Sequence, residues 1–492
     1  MENQLQTHTV PGFALSVVYD NQTVIAQGFG TKQYGNASNV VTADTQFQIG
    51  SYSKTFIALS IAKLVDEKRL SWTDTVKSRL PWFSFVDKYA EKFTTLADLL
   101  AMNSVFGDHE GDLVWSADVY PTERDAVKAL GSFNTTRRLR PGYAYSNMNY
   151  EILGQVLEYQ TNTSWASYVN ATFWHPLGMT KTFGRTLDST TPQDLTFGHR
   201  TCNGKVAGPY DLRTSPAVAL GQRNGYLSAG SIISTVADLA KFSRFLLNKG
   251  AGIYSSPDIV STLITGQVIN TNDASHAEAT GYTYNADGGV LAAGYGFDVV
   301  GDVMYGHHYF DKGGDTAASA TRNGFVPNEQ LGVVLIANAQ SMGGSFVDLL
   351  LPDRMRSYIV GLFLDMPVTT LKQSYDKAVA AASAMDPLGA CDAHTFEGVP
   401  MEQLGSPVPS ATQALLVGTY ANEASPAFYT NMTLLTKNGN LYLQYGPHEN
   451  IVYAKANSST TFLLLSEGEF DIADVGTAPT MIDYFGVQFT KI

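Results

Sequence analysis

The order of elements written into this chain predicts a mixed α/β (α+β) protein. It should hold an antiparallel sheet flanked by helices, an inserted helical domain, and a C-terminal antiparallel β-barrel-like domain. Three observations carry this. Residues 13–29, FALSVVYDNQTVIAQGF, read as two strands joined at Asp20-Asn21. Residues 294–339 read as consecutive strands ending in EQLGVVLIANA, with a long helical stretch between the two strand groups. From 411 to 492 the text changes to short alternating strands, with Asn438-Gly439 as a hairpin turn.

Within that frame, Phe47 to Leu64 (FQIGSYSKTFIALSIAKL) starts as a short alternating segment, breaks at Gly50 and continues with helical period. KFTTLADLLAMNS suggests another helix near a loop, and residues 102–145 mix loops with short helices. PGYAYSNMNYEILGQVLEY opens with a turn and continues as a helix; HPLGMTKT at 175–182 is loop-like. From 224, NGYLSAGSIISTVADLAKFSRFLLNKG reads as a turn, a short strand and a helix stopped by Gly250. A helix around 345–364 follows, and the main body ends near Pro367. The expected division is 1–367 for that body, 368–410 for a helical linker and 411–492 for the small β domain.

Length and composition set bounds. The chain has 492 residues, 44% hydrophobic and 16% charged, as in ordinary soluble globular proteins with two or three domains. Its net charge is −13, and no Lys/Arg cluster suited to phosphate backbones is visible, so nucleic acid is not an expected partner. No apolar run approaches the roughly 20 residues of a membrane span. Two cysteines, Cys202 and Cys391, exclude a disulfide framework and a cysteine metal site, and leave one bridge open. The start, MENQLQTHTVPGF, has no apolar signal region, so the chain reads as cytosolic or as a mature form. Sequons at Asn21, Asn36, Asn134, Asn162, Asn170, Asn431 and Asn457 tip the expectation toward a secreted glycoprotein. The oligomeric state is not legible.

Ser51 falls where the turn becomes the helix, beside free backbone N–H groups at the positive end of the helix dipole. Lys54 follows one turn along the same face. That field favours an alkoxide on serine and an uncharged amine on lysine, as an activated nucleophile with a lysine base requires. The plain alternative is a helix N-cap with a surface lysine. S-x-x-K recurs at Ser60/Lys63 and Ser374/Lys377. Ser60 lies inside the helix, where its hydroxyl would bond the preceding turn, and Ser374 lies in the alanine-rich linker. Tyr145-Ser146-Asn147 and Lys312-Gly313-Gly314 complete the constellation. Other Y-x-N sites mostly end in sequon asparagines, and Lys437 precedes a hairpin turn. His307 and His308 are adjacent on a strand and point to opposite faces, so they cannot easily share an ion. They are expected to border the cleft; no metal or cofactor is implied.

IGSYSKTF, YSNMNY, HPLGMTKT, NGYLSAGSIISTVADLAKF and KGGDTAAS followed by NEQLGVVLIANA resemble the serine β-lactamase and penicillin-binding-protein hydrolases, in the class C-type peptidase and esterase branch. Order and separations agree across residues of about 10 to 365. The resemblance implies Ser51 as the nucleophile of an acyl-enzyme. It implies Lys54 and Tyr145 as a shared base, with the Tyr145 phenol lowered by Lys54 and Lys312. Asn147 would hold Lys54 and bond the substrate amide. Backbone N–H groups of Ser51 and Asp315 would form the oxyanion hole. Relatives that bind penicillins commonly carry threonine where Gly313 stands, and Asp315 would set a negative charge where a substrate carboxylate lies. The expected function is therefore hydrolysis of an ester, amide or peptide substrate, favouring neutral or amine-bearing molecules over carboxylate-bearing β-lactams. The alternatives are an acyltransferase using the same acyl-serine, or a non-catalytic scaffold on this fold.

Overall fold

The computed structural model describes residues 8–218, 225–284, 289–464 and 468–492; Asn224, which opens one predicted turn, lies outside them. Strands β1 (Gly12–Tyr19) and β2 (Gln22–Gly30) form the predicted hairpin, with Asp20 and Asn21 both in the left-handed region at the turn. β1 then pairs antiparallel with a strand more than three hundred residues later, Phe13 opposite Ala337. Helix α1 (Ser53–Asp66) follows, and helix α2 (Asn147–Thr161) lies in the helical insertion. The returning strands are β3 (Val299–Met304), β4 (His307–Asp311), β5 (Gly314–Thr316), β6 (Ser319–Val326) and β7 (Leu331–Ala337). The sheet runs β2-β1-β7-β6-β4-β3 and continues into two short strands, with β5 pairing β6.

β1 and β7 are apolar along nearly their whole length rather than alternating, and β6 is buried throughout although it carries Ser319, Thr321, Arg322 and Asn323. Helix Val236–Leu247 and helix Leu351–Phe363 both contact this sheet, so both faces are covered and neither needs a polar register. α1 is apolar almost all round for a similar reason: from Ser53 to Ala62 every residue is buried. Ser60 donates to the Phe56 carbonyl at 2.8 Å, the back-bond expected of a mid-helix serine.

At the C terminus, eight antiparallel strands from Gly418–Ala421 to Val487–Lys491 form a closed barrel. Closure comes from pairing His448–Lys455 with Thr461–Leu464, Tyr453 opposite Leu463. Tyr420, Leu434, Leu441, Phe462, Ile482 and Phe489 are all buried, so this is a packed core and not a channel. Strand Gly405–Pro407 adds to the barrel's His448–Lys455 strand, so barrel contacts begin inside the stretch expected as linker. Cys202 and Cys391 are bonded, tying that stretch back to the main body.

Candidate active site

Ser51 stands in a single 3-10 turn, Gly50–Tyr52, immediately before α1. The turn is anchored by Ile49 N–H donating to Ile232 O at 3.0 Å and by Ser53 Oγ accepting from Ile232 N–H at 3.1 Å. Two glycines let β5 run against it. Gly50 has φ +54°, and a Cβ there would meet the Asp315 amide nitrogen at 2.8 Å. A Cβ on Gly314 would stand 2.0 Å from Ile49 O and 2.8 Å from Ser51 N. Only residues without side chains permit this approach, and it gathers the amides of Ser51 and Asp315 at one corner.

Lys54 is fully buried, and its Nζ donates to Ser51 Oγ at 2.9 Å, Asn147 Oδ1 at 2.7 Å and Ala229 O at 2.7 Å. Burial, then the Lys312 ammonium, hold its pKa well below the ordinary lysine value; Asp298, Asp112 and Glu151 oppose that only in part. An amine biased toward its uncharged form, one hydrogen bond from a serine hydroxyl, has the chemistry of a general base.

Tyr145 lies two residues before α2, ahead of the extended N-cap Ser146, and is not part of the helix. Its hydroxyl is hydrogen-bonded to Ser51 and accepts from Lys312 Nζ at 3.2 Å, and the Nζ atoms of Lys54 and Lys312 sit over its ring, at 5.0 Å and 4.7 Å. The expected lowering of its pKa is not found: burial in the cleft outweighs Lys312 and pushes the phenol up to about 12. The phenol is thereby biased toward its protonated form, whereas Lys54 is biased toward its uncharged amine. Lys312 is buried just beyond β4, its backbone clamped by Asn323, which accepts from Lys312 N–H at 2.9 Å and donates to its carbonyl at 2.5 Å. Burial would lower Lys312, but Asp298 at 2.5 Å and Tyr145 more than offset it, and the amine stays charged.

Asn147 holds Lys54 through its Oδ1, and one of its two amide N–H groups donates to Asp112 Oδ2 at 2.7 Å. Asp112 also bonds His109 Nδ1 at 2.8 Å, and the His109 ring packs on Tyr145 at 5.2 Å. Asp315 is not an unpaired charge: Arg322 Nη1 at 3.0 Å and Gln340 Nε2 at 3.0 Å both reach its Oδ1. Arg322 also pairs Asp353 at 2.8 Å and lies beneath Gly313. His307 and His308 pair with Glu329 and Asp302 at the far end of β4 and do not border the cleft.

Reasoning from sequence missed Asp112, Asp298, Arg322 and the Ala229 carbonyl. Asp298 was within reach. With the turn at Tyr305-Gly306, Asp311 pairs Val299, and continuing that register sets Asp298 opposite Lys312. Nothing in the sequence marks Asp112, which opens a short helix in a stretch without a motif.

The barrel supports that stretch. Tyr429 is hydrogen-bonded to the Gly111 backbone, Tyr120 Oη donates to Phe428 O at 2.6 Å, and the Phe428 ring packs 4.4 Å from Phe133. Phe428 is fully buried, so Phe428→Ala should lower unfolding free energy by about 3–5 kcal/mol. It should also lower activity by loosening the helix (Asp112–Ser116) that holds Asn147. Denaturant titration with kinetics checks this; a loss under about 0.5 kcal/mol with unchanged rates would mean the barrel is an independent appendage.

A sequence model of the family described as Beta-lactamase matches residues 1–350. The chain is 27% identical over 261 residues to unguisins hydrolase ungD' of Aspergillus campestris (strain IBT 28561), covering 51% of this chain and 46% of that one. It spans about half the length of the curated relatives it matches. The octameric penicillin-binding protein homologue from Pyrococcus abyssi shares the fold over 99% of this chain and 98% of its own, with TM-score 0.59 and 18% identity. The D-amino acid amidase from Ochrobactrum anthropi SV3, complexed with L-phenylalanine, aligns over 74% of this chain and 96% of its own, with TM-score 0.58 and 18% identity.

Proposed function

The chain belongs to the beta-lactamase family, and from that premise we propose that it is a serine hydrolase that cleaves esters or amides through an acyl-Ser51 intermediate. The observation that carries this reading is the buried, deprotonation-prone Lys54 amine 2.9 Å from Ser51 Oγ. Ser51 Oγ attacks the substrate carbonyl while its proton passes to Lys54 Nζ. Amides of Ser51 and Asp315 receive the developing oxyanion. Tyr145, bonded to both Ser51 and Lys312, hands a proton to the leaving group, and Lys54 returns one to Tyr145. Water then repeats the sequence against the acyl carbonyl and frees Ser51.

The pH dependence separates the two candidate bases. A Lys54 base must be uncharged, so kcat/KM should rise as pH passes up through its lowered pKa and level off well below the ordinary lysine value. A Tyr145 phenolate base would instead keep the rate climbing to about 12. A stopped-flow pH profile with a neutral ester reads the difference; a rise continuing past pH of about 10 contradicts the Lys54 assignment.

We further propose that neutral or amine-bearing substrates are preferred over carboxylate-bearing ones. Lys312 is paired by Asp298, and Arg322 is shared between Asp315 and Asp353, leaving three carboxylates against two cations at this end of the cleft. For matched substrates, the neutral one should lead in kcat/KM by at least about tenfold. Asp315→Ser removes one carboxylate and frees one guanidinium arm. Because Asp315 is 45% exposed and paired, the gain for the carboxylate substrate should be about tenfold rather than hundreds. Equal turnover of the pair by the wild type, or an unmoved ratio in Asp315→Ser, would sink this preference.

The reading also favours an oxidising compartment. Cys202–Cys391 supports it, as does the fact that none of the seven sequon asparagines is buried. An intact mass above 53.3 kDa for the protein from its natural host would register glycans directly; a bare chain mass would count against it.

A further inference from the structure

Beside the cleft lies a cavity of about 300 Å³ that the chemistry above leaves unused. Trp115, Trp165 and Tyr226 form aromatic walls, and the acidic side chains of Asp118, Glu123, Glu151 and Glu158 line it, with burial pushing the Glu123 pKa up to about 8. Glu123 is satisfied, accepting from Ser228 N–H at 3.0 Å and Trp165 Nε1 at 3.1 Å. Glu158 accepts from Gln155 Nε2 at 3.1 Å and Trp165 N–H at 3.3 Å. Glu151 differs. It is 0% exposed, one turn along α2 from Asn147, and neither carboxyl oxygen has a hydrogen-bond partner among the described residues. A buried polar group without a partner is costly, and a ligand that supplies one relieves the cost.

The cations at the rim are already engaged. Arg185 pairs Asp188 at 3.0 Å and lies over Tyr226 at 4.2 Å, and Arg124 lies over Trp82 at 5.4 Å. Carboxylates between aromatic faces match an ammonium or guanidinium ion, which gains charge-assisted hydrogen bonds and cation–π contact together. The cavity also adjoins the nucleophile. A Cβ on Gly230 would lie 3.8 Å from the Trp115 ring and 4.0 Å from Gly50, the residue before Ser51. Trp115 Nε1 is buried without an acceptor among the described residues, leaving a donor for a carbonyl on an entering chain.

We propose that this cavity receives an ammonium or guanidinium group carried on the acyl part of the substrate, several bonds from the scissile carbonyl, with Glu151 as its partner. This rests on the serine hydrolase reading. Burial, then Glu123 and Asp112, favour the protonated acid at Glu151 in the empty cavity. The entering cation takes the carboxylate, and the displaced proton leaves to solvent.

The test is kcat/KM for Nα-blocked lysine and norleucine ethyl esters, in both stereochemical series, on wild type and Glu151→Gln. Lysine should lead norleucine by at least about tenfold in one series, and Glu151→Gln should bring the ratio near one. A wild-type ratio near or below one in both series overturns the pocket and leaves the hydrolase reading standing. If no ester of either kind is turned over, the hydrolase reading fails and the pocket is judged by calorimetry on Ser51→Ala. There, n-pentylamine should bind saturably and n-pentanol should not; equal or absent binding overturns the proposal. Should Glu151→Gln fail to fold, the wild-type lysine-to-norleucine ratio still decides.

Discussion

Ser51→Ala should lower kcat/KM for any ester substrate at least about a thousandfold, with the fold intact. The structure separates these two effects cleanly. The Ser51 side chain caps no helix: the 3-10 turn it occupies has no side-chain cap bond. Its hydroxyl bonds only Lys54 and Tyr145, among the groups the structure describes. Lys54 keeps Asn147 Oδ1 and Ala229 O in the variant, so no buried donor is stranded. The melting temperature should therefore move by no more than the equivalent of about 1 kcal/mol. A variant that unfolds, or one that retains more than about a tenth of its activity, would remove Ser51 from the nucleophile's role.

The second large effect concerns the proton path. Lys54→Met and Tyr145→Phe should each cost about a thousandfold, and the double variant should lose little more than either alone. Lys54 and Tyr145 both bond Ser51, and in the proposed mechanism Lys54 takes the proton that Tyr145 delivers, so breaking either link breaks the same path. Methionine keeps most of the volume of the buried lysine stem but leaves Asn147 Oδ1 and Ala229 O without their donor. A stability loss of about 1–3 kcal/mol should accompany Lys54→Met and be absent from Tyr145→Phe. Losses that multiply in the double variant would mean that the two residues serve separate steps.

The parts of this site legible in the sequence are those that local backbone chemistry dictates. Gly50 before Ser51 announces a turn into a helix, and α1 shows its burial in a largely apolar run from Phe56 to Leu64. Asn438-Gly439 announces a hairpin, and both residues have positive φ. Asp20-Asn21 behaves the same way. The parts that were hidden depend on contacts between distant segments. Nothing near Asp112 says that it holds Asn147 thirty-five positions on. Nothing near Asp315 says that Arg322 will neutralise it, because β5 and β6 must first pair, Gly314 opposite Thr321. The Tyr145 phenol was misread for a related reason. Neighbouring cations are visible in a motif, but the burial that outweighs them is a property of the assembled cleft. Barrel closure was hidden too, since it needs the pairing of His448–Lys455 with Thr461–Leu464.

The most direct measurement is peptide mapping by mass spectrometry after reaction of the folded wild-type protein with a fluorophosphonate. Ser51 is the serine whose hydroxyl touches a buried, lowered-pKa amine, whereas Ser60 is spent on the Phe56 carbonyl within α1. A single phosphonyl adduct on Ser51, approaching one per chain and absent from Lys54→Met, is the predicted result. An unlabelled folded protein, or an adduct on Ser60 or Ser374 instead, would contradict an activated Ser51.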